Sequence, residues 1–379
     1  MEFQDDDQSD NGDFVCSSDE DEVESEAEPR YRYSENLYYP IRIGEVLAAG
    51  YRIEHKLGWG GFSTVPWLSK SWSPGEKGER EYHKQNEIME KVHDISGLVT
   101  YQSCFCLVGY GGVNKHMVLV FPVRGPSLYY CSRRGMRGPV ARRVRAAKQL
   151  LISVKGLHDA GIIHRDLNKG AVLYDMKKDP VENLTTAEEY RRFLGRPRKI
   201  ALQEVSRKQA ELVEPMAFPA DRISGDKVYL CDFHLCSNNT DSSTRETDYK
   251  VQSPGMFCAP ERFHGGVVLM DRVVDALGPF PAHWKGRHYL EHVDKSGWYD
   301  PNPDMDRWYD PGLKTRVDPK YSLEAKIDHR TRPEISEYER QHALNVMYKG
   351  FRYLPEERIT AAELLQDESF NIIMGLYGQ

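Results

Sequence analysis

Apolar residues recur along this chain with two different periods, and each period marks a kind of element. In "YYPIRIGEVLAAGYRIEHKLGWGGFSTVPWL" the alternation of Tyr51, Ile53 and then Leu57 predicts a strand running into a glycine-rich turn, and Phe62, Thr64 and Val65 predict the returning strand. "EREYHKQNEIMEKVHDI" changes to helical spacing, with Ile88, Val92 and Ile95 on one face. "KHMVLVFPVRGPSL" reads as a buried strand followed by a short hinge, and "ARRVRAAKQLLISVKGLHDAGIIHRDL" as a long amphipathic helix leading into a loop. "VYLCDFHLC" is a short apolar strand closing on an aspartate, and "CAPERF" and "LPEERITAAELLQ" come after it in that order.

Composition adds a boundary. The chain has 379 residues, 40% hydrophobic and 29% charged, which is globular and leaves room for one large domain or two ordinary ones. Of 58 acidic residues 13 lie in the first thirty positions, against one arginine, so the tail carries the whole net negative charge. Such a serine-rich, nearly aromatic-free stretch buries too little apolar surface to offset its ordering entropy, and residues 1–37 are expected to form a disordered tail. Ser17 and Ser18 would suit a phosphorylated interaction arm as a secondary reading. No apolar run approaches about eighteen residues and the N-terminus is acidic, so neither a membrane span nor a signal peptide is expected. Seven cysteines, an odd number without a CxxC, read as buried free thiols rather than a disulfide framework or zinc site.

Gly58, Gly60 and Gly61 lack the β-carbons that would keep backbone N–H groups away from a phosphate. A plain glycine-rich hairpin explains the same residues, so the reading rests on the downstream elements and their spacing. Those elements are ordered as in a kinase, and the chain resembles the protein kinases, in particular the fungal relatives of the SR-protein kinases, Ser/Thr kinases of arginine/serine-rich splicing factors. "YYPIRIGEVLAAGYRIEHKLGWGGFSTV", "LVFPVRGPSL", "IIHRDLN", "YKVQSPGMFCAPERFHGG" and "LGPFPAHWKG" carry the likeness, which covers roughly residues 38 to 370.

The resemblance implies an α+β, two-lobed kinase-like fold, with a small β-rich N-lobe and hinge over 38–124 and a mostly helical C-lobe over 125–379. It also implies ATP and Mg2+ as cofactors and a protein substrate of the arginine/serine-rich type. No direct nucleic-acid or membrane partner is expected, and the location implied is cytoplasm or nucleus. Phosphoryl transfer asks for a base, cations and rigid positioning. By resemblance Asp166 is the base for the substrate hydroxyl, and Arg165 the residue that pairs with an ordered activation loop. Asn168 stands where Ser/Thr kinases usually carry a lysine, with Lys169 beside it. Asp232 is the Mg2+ ligand. ATP contacts fall to Gly58, Gly60, Gly61 and Val65, to Glu87 as the glutamate of helix αC, and to Phe121, Pro122 and Arg124 of the gatekeeper and hinge. Glu261 and Arg358 match a buried ion pair of the C-lobe.

Several positions depart from the family. Ala171 replaces the asparagine that holds a second metal and has no oxygen to offer, and His234 replaces the glycine of the metal motif. "PWLSKSWSPGEKGER" is polar and punctuated by Pro66 and Pro74, so the third strand and its lysine are expected to be missing, with Lys70 and Lys77 the nearby candidates. "APERFHGGVVLMDRVVDALGPF" leaves no room for helix αF. Both gaps remove whole elements and resemble missing coding segments. On that view positioning limits the reaction, and restoring Asn at 171 and Gly at 234 is not expected to rescue it. Residues 177–226 read as a partly ordered surface insert of spacer type. Activity is therefore expected to be impaired, with a catalytically inactive pseudokinase acting as a binding module as the alternative. A remote alternative is the HxxEH at 288–292, the signature of an inverted zinc metallopeptidase, although its charged flanks read as a solvated segment.

Overall fold

The acidic N-terminal stretch folds, because its few apolar residues fall at helical spacing and find a partner far along the chain. The computed structural model describes residues 12–34, 38–47, 50–60, 63–66, 70–72, 76–108, 115–136, 138–176, 195–202, 210–218, 223–238, 273, 276–278, 318–328 and 335–378. Asp13–Phe14 (β1) pairs in parallel with Arg198–Ala201 (β9), which pairs antiparallel with Glu211–Val213 (β10). Helices Glu20–Glu26 (α1) and Tyr31–Ser34 (α2) close over this ribbon. Val23, Ala27, Tyr33 and Tyr38 form one buried cluster with Ile200, Leu202, Ala210 and Leu212.

The expectation of a disordered tail therefore fails from Gly12 onward. Average composition misled because the acidic charges are matched: Arg198 reaches Glu22 at 3.1 Å and Glu214 at 3.2 Å, and Arg196 holds Asp13 at 2.6 Å. Glu28 is fully buried against the ammonium of Lys56 and accepts the phenol of Tyr33. Burial is the main force on both partners, pushing Lys56 below its ordinary pKa while Glu28 pulls it back up, and pushing Tyr33 well above its own.

Lys56–Gly60 (β2) and Ser63–Pro66 (β3) form the expected hairpin, with Gly58 opposite Val65 and Gly60 opposite Ser63. The third strand is present, against expectation. Lys70–Trp72 (β4) pairs with β3 on one side and with Lys115–Val120 (β6) on the other, Lys70 lying opposite Leu119. Three residues between two prolines are too few to leave a period in the sequence, and their place in the sheet is set by the strands on either side. Ser103–Val108 (β5) completes an antiparallel sheet of order β2-β3-β4-β6-β5. Val118 packs with Ile43, Leu47, Ile53, Leu107 and Val213, while Glu76–Lys91 (α3) also packs against β6. Both faces of β6 are thus covered, which explains its unbroken apolar run.

The chain divides into two compact units, Met1–Met136 with Lys169–His234, and Arg137–Asn168 with Leu235–Gln379. This differs from a division at residues 124 and 125, because Val172–Met176 (β8) and Ile223–Leu230 (β11) pair with each other and are stitched to the first unit. The stitches are Val99 N–H to the Leu230 carbonyl at 2.8 Å and Gly125 N–H to the Tyr174 carbonyl at 2.8 Å. Leu128–Arg133 (α4) packs beside β8. Of the insert, β9, β10 and the start of β11 are described.

In the second unit Val140–Asp159 (α5) buries Ala146, Val154 and Leu157 on one stripe and ends at Gly161, whose φ of 73° is the left-handed turn-off that glycine adopts without cost. Ile162–Ile163 (β7) then pairs with Ser237–Asn238 (β12). Leu323–Lys326 (α6) and Glu337–Gly350 (α7) precede Ala361–Gln366 (α8), which starts in a Thr360–Glu363 capping box, and Glu368–Leu376 (α9). Helices α8 and α9 pack on α5. Helix αF, Glu261 and the HxxEH at 288–292 lie outside the described residues.

Six cysteines are free among the described residues, and Cys16, Cys104 and Cys106 are exposed rather than buried as expected. The last two sit two residues apart on β5, an edge strand with one open face. Among the described residues no helix is long and apolar enough to cross a membrane.

Two outcomes test this arrangement. Glu28→Gln leaves the Lys56 charge buried without its counter-charge and should destabilise the first unit by about 3–5 kcal/mol in urea unfolding, with more than half recovered in Glu28→Gln/Lys56→Met. Tyr38, pushed up to about 12 chiefly by burial, keeps its proton in the folded state. Its contribution to stability is complete below the unfolded value of about 10 and lost as pH rises toward 12, so Tyr38→Phe should flatten stability over that window.

Candidate active site

In the first unit the residues expected to meet nucleotide are placed by the sheet. Gly58 and Gly60 lie on β2 and Val65 on β3, while Gly61 is outside the described residues. A β-carbon built at Gly58 would meet nothing within 4 Å, so internal packing does not demand glycine there; the open space suits a phosphate held by backbone N–H groups. β6 delivers Phe121, Pro122 and Arg124 as irregular backbone, all partly exposed. Arg124 stacks its guanidinium 3.7 Å above the ring of Tyr229 and lies 3.8 Å from Asp175. Gly125 is required beside it: a β-carbon would stand 2.9 Å from the Tyr174 carbonyl oxygen.

Glu87 does not join this group. It sits on α3 between Lys84 at 2.8 Å and Lys91 at 2.7 Å. Burial pushes its carboxyl up, but the hydrogen bonds and charges of the two lysines outweigh that and hold it below the usual value. The glutamate that turns inward is Glu81, fully buried. Its carboxylate accepts from the Gln85 amide at 2.5 Å, and Gln85 in turn accepts the Tyr101 N–H at 2.8 Å. Glu81 and Gln85 stand seven and three residues before Ile88, on the same helix face, so extending the apolar phase backwards would have found them.

Helix α3 reaches Asp232 through the backbone. Leu98, just beyond the helix, forms a parallel bridge with Leu230, two residues before the aspartate. Cys231 N–H donates to the Ala171 carbonyl at 2.9 Å, and Phe233 is fully buried. Glu81, Asp232 and His234 each offer a ligand atom, and these atoms lie within 4.8 Å of one another. His234 Nδ1 is 3.0 Å from Asp232 Oδ1.

In the second unit Asp166 is buried, its Oδ1 and carbonyl accepting the Asn168 amide at 3.0 and 3.1 Å. His164, also buried, accepts the Asp166 N–H at 3.3 Å through Nδ1. Arg165 and Asp232 are the two described non-glycine residues with positive φ, 67° and 71°. Left-handed backbone at such residues costs of order 1–3 kcal/mol and persists where surroundings enforce it. Arg358 donates to the carbonyls of Arg352 and Tyr353, each at 2.7 Å; the ion pair expected of it with Glu261 lies outside the described residues.

Magnesium prefers oxygen donors in a near-octahedral shell. Asp232 fits that preference, whereas Ala171, buried and without a donor atom, does not supply a second site. The residues present fit one Mg2+ through Asp232.

No protein-family model matches the chain. It is 30% identical over 175 residues to the serine/threonine-protein kinase SRPK of Physarum polycephalum, covering 41% of this chain and 40% of that protein. It is 31% identical over 190 residues to protein kinase dsk1 of Schizosaccharomyces pombe (43% and 34%), and 29% over 182 residues to serine/threonine-protein kinase spk-1 of Caenorhabditis briggsae (42% and 16%). These matches are what the chain is similar to, each over less than half of its length. It is a distant homologue of the SRPK-type serine/threonine kinases, and its matches span 40% or less of the length of these relatives.

Gly125→Ala should cost about 1–3 kcal/mol of stability, because backbone rather than a flexible side chain must move. Thermal unfolding of the variant against the parent chain checks it.

Proposed function

We propose that this chain is an ATP-dependent protein kinase of SR-protein-kinase type, transferring phosphate from ATP to serine in arginine/serine-rich proteins, with weakened activity. The observation that carries the reading is the left-handed backbone at Arg165 and Asp232, the two described non-glycine residues with positive φ, since each belongs to a motif that phosphoryl transfer needs and strain of this kind is kept where surroundings preorganise a residue. Asp166 accepts the proton of the substrate hydroxyl, and the Asn168 amide fixes the carboxylate that does so. Adenine pairs with the backbone of Pro122 and Arg124, and the phosphates lie under Gly58, Gly60 and Gly61. Asp232 would hold Mg2+, which when bound neutralises charge developing on the phosphates. We assign the chain to the cytoplasm or nucleus, with no direct nucleic-acid or membrane partner.

A pseudokinase is the second reading, favoured by Ala171 and by the engagement of Asp232 by His234. Both weaken metal placement more than adenine binding. ATP and ADP should therefore bind about equally, and Mg2+ should strengthen ATP binding by less than about tenfold, or roughly 1.4 kcal/mol, in calorimetry.

β4 removes one of the two positioning lesions, helix αF lying outside the described residues, and metal placement by Ala171 and His234 is taken as the limiting step. Ala171→Asn with His234→Gly should raise phosphorylation of an arginine/serine-rich peptide about tenfold or more, radiolabelled ATP being the donor and Asp166→Ala the blank. Turnover above the blank supports the kinase reading; none, in either the parent chain or the double variant, leaves the binding module.

A further inference from the structure

We propose that Glu81, Asp232 and His234 form a binding site for a first-row transition-metal dication, Zn2+ or Co2+ in preference to Mg2+, that fills without nucleotide. The proposal goes beyond phosphoryl transfer and does not depend on it, because it rests on the imidazole that this chain places in the metal motif.

The donor set is the first argument. Two carboxylates and an imidazole around one point suit a borderline ion, whereas magnesium selects oxygen ligands alone. Distances are the second. Ligand atoms about 2.0–2.2 Å from a metal stand roughly 3 Å apart, and His234 Nδ1 already lies 3.0 Å from Asp232 Oδ1. The third atom is within 4.8 Å of both, so side-chain rotation of about an ångström or two closes the set.

Preorganisation is the third argument. Glu81 is held from behind by the Gln85 amide, itself anchored on the Tyr101 N–H, an outer shell of the kind that orients metal ligands. Asp232 is held in left-handed backbone between the Cys231–Ala171 hydrogen bond and buried Phe233. Entry is open on the other side, where one third of the Asp232 side chain meets solvent.

The test is titration of the purified full chain with Co2+ in the absence of nucleotide, read by visible absorption and then displaced by Zn2+. One equivalent should bind with a ligand-field spectrum of mixed nitrogen and oxygen donors. His234→Asn and Glu81→Gln should each weaken it by at least tenfold, and Gln85→Leu by about tenfold. Millimolar Mg2+ should not displace the ion. The chain has 13 histidines and 7 cysteines, so adventitious binding is the competing outcome: Co2+ affinity and spectrum unchanged in His234→Asn would overturn the proposal, as would displacement by Mg2+. Circular dichroism establishes that each variant is folded. Should Glu81→Gln unfold, His234→Asn decides alone, because its side chain is partly exposed and carries no packing burden comparable to that of Glu81. Loss of kinase activity with retained Co2+ binding, or the reverse, separates this inference from the proposed function.

Discussion

Burying the ammonium of Lys56 in the first strand of the sheet obliges the protein to bring a carboxylate to the same place, and the acidic N-terminal stretch supplies it as Glu28. A buried lysine without a partner would cost several kcal/mol, so the strand that opens the glycine-rich hairpin and the segment preceding the folded core are formed together or not at all. The coupling extends further. The Lys56 carbonyl accepts the Met216 N–H at 2.9 Å, and Glu211 bonds both Lys199 at 2.9 Å and the Ile43 N–H at 3.0 Å. Tail, insert ribbon and sheet become one body in this unit, and Trp59, on the hairpin itself, donates its indole N–H to the Glu26 carbonyl at 3.0 Å.

The same unit positions Asp232 by register rather than by side-chain contact. The Leu98–Leu230 bridge brings the end of α3 to the strand that leads into Asp232, and the helix face that carries Ile88 then presents Glu81 to that aspartate. Asp166 and Asn168, in the other unit, rely on a short local network whose geometry is set by the turn at Gly161 and the strained Arg165. Long-range pairing places Asp232, and local hydrogen bonding places Asp166.

Periodicity made the hairpin, α3, β6 and α5 legible, because each presents one apolar stripe to a single core. Asp166, Asp232 and the hinge were singled out by motif and order. What escaped was set by partners remote in sequence. Val23, Ala27 and Tyr33 look too sparse to build anything until Ile200 and Leu212 arrive beside them. β4 is too short to carry a period. Glu81 and Glu87 are equivalent as composition, and only the phase relative to Ile88 tells the buried one from the one that two lysines hold at the surface.

The parallel pairing of Asp13 with Arg198 also sets an order of events during synthesis. The strand at Asp13 has to wait for one that emerges about 185 residues later, roughly 10–40 s at ordinary elongation rates. Through that interval Val23, Tyr33 and Glu28 are out of the tunnel without their ribbon, and the dense acidic charge around them keeps so exposed a stretch from associating with its neighbours on the same message. The charge that argues against folding in the finished chain thus acts, in the nascent one, as its solubilising cover.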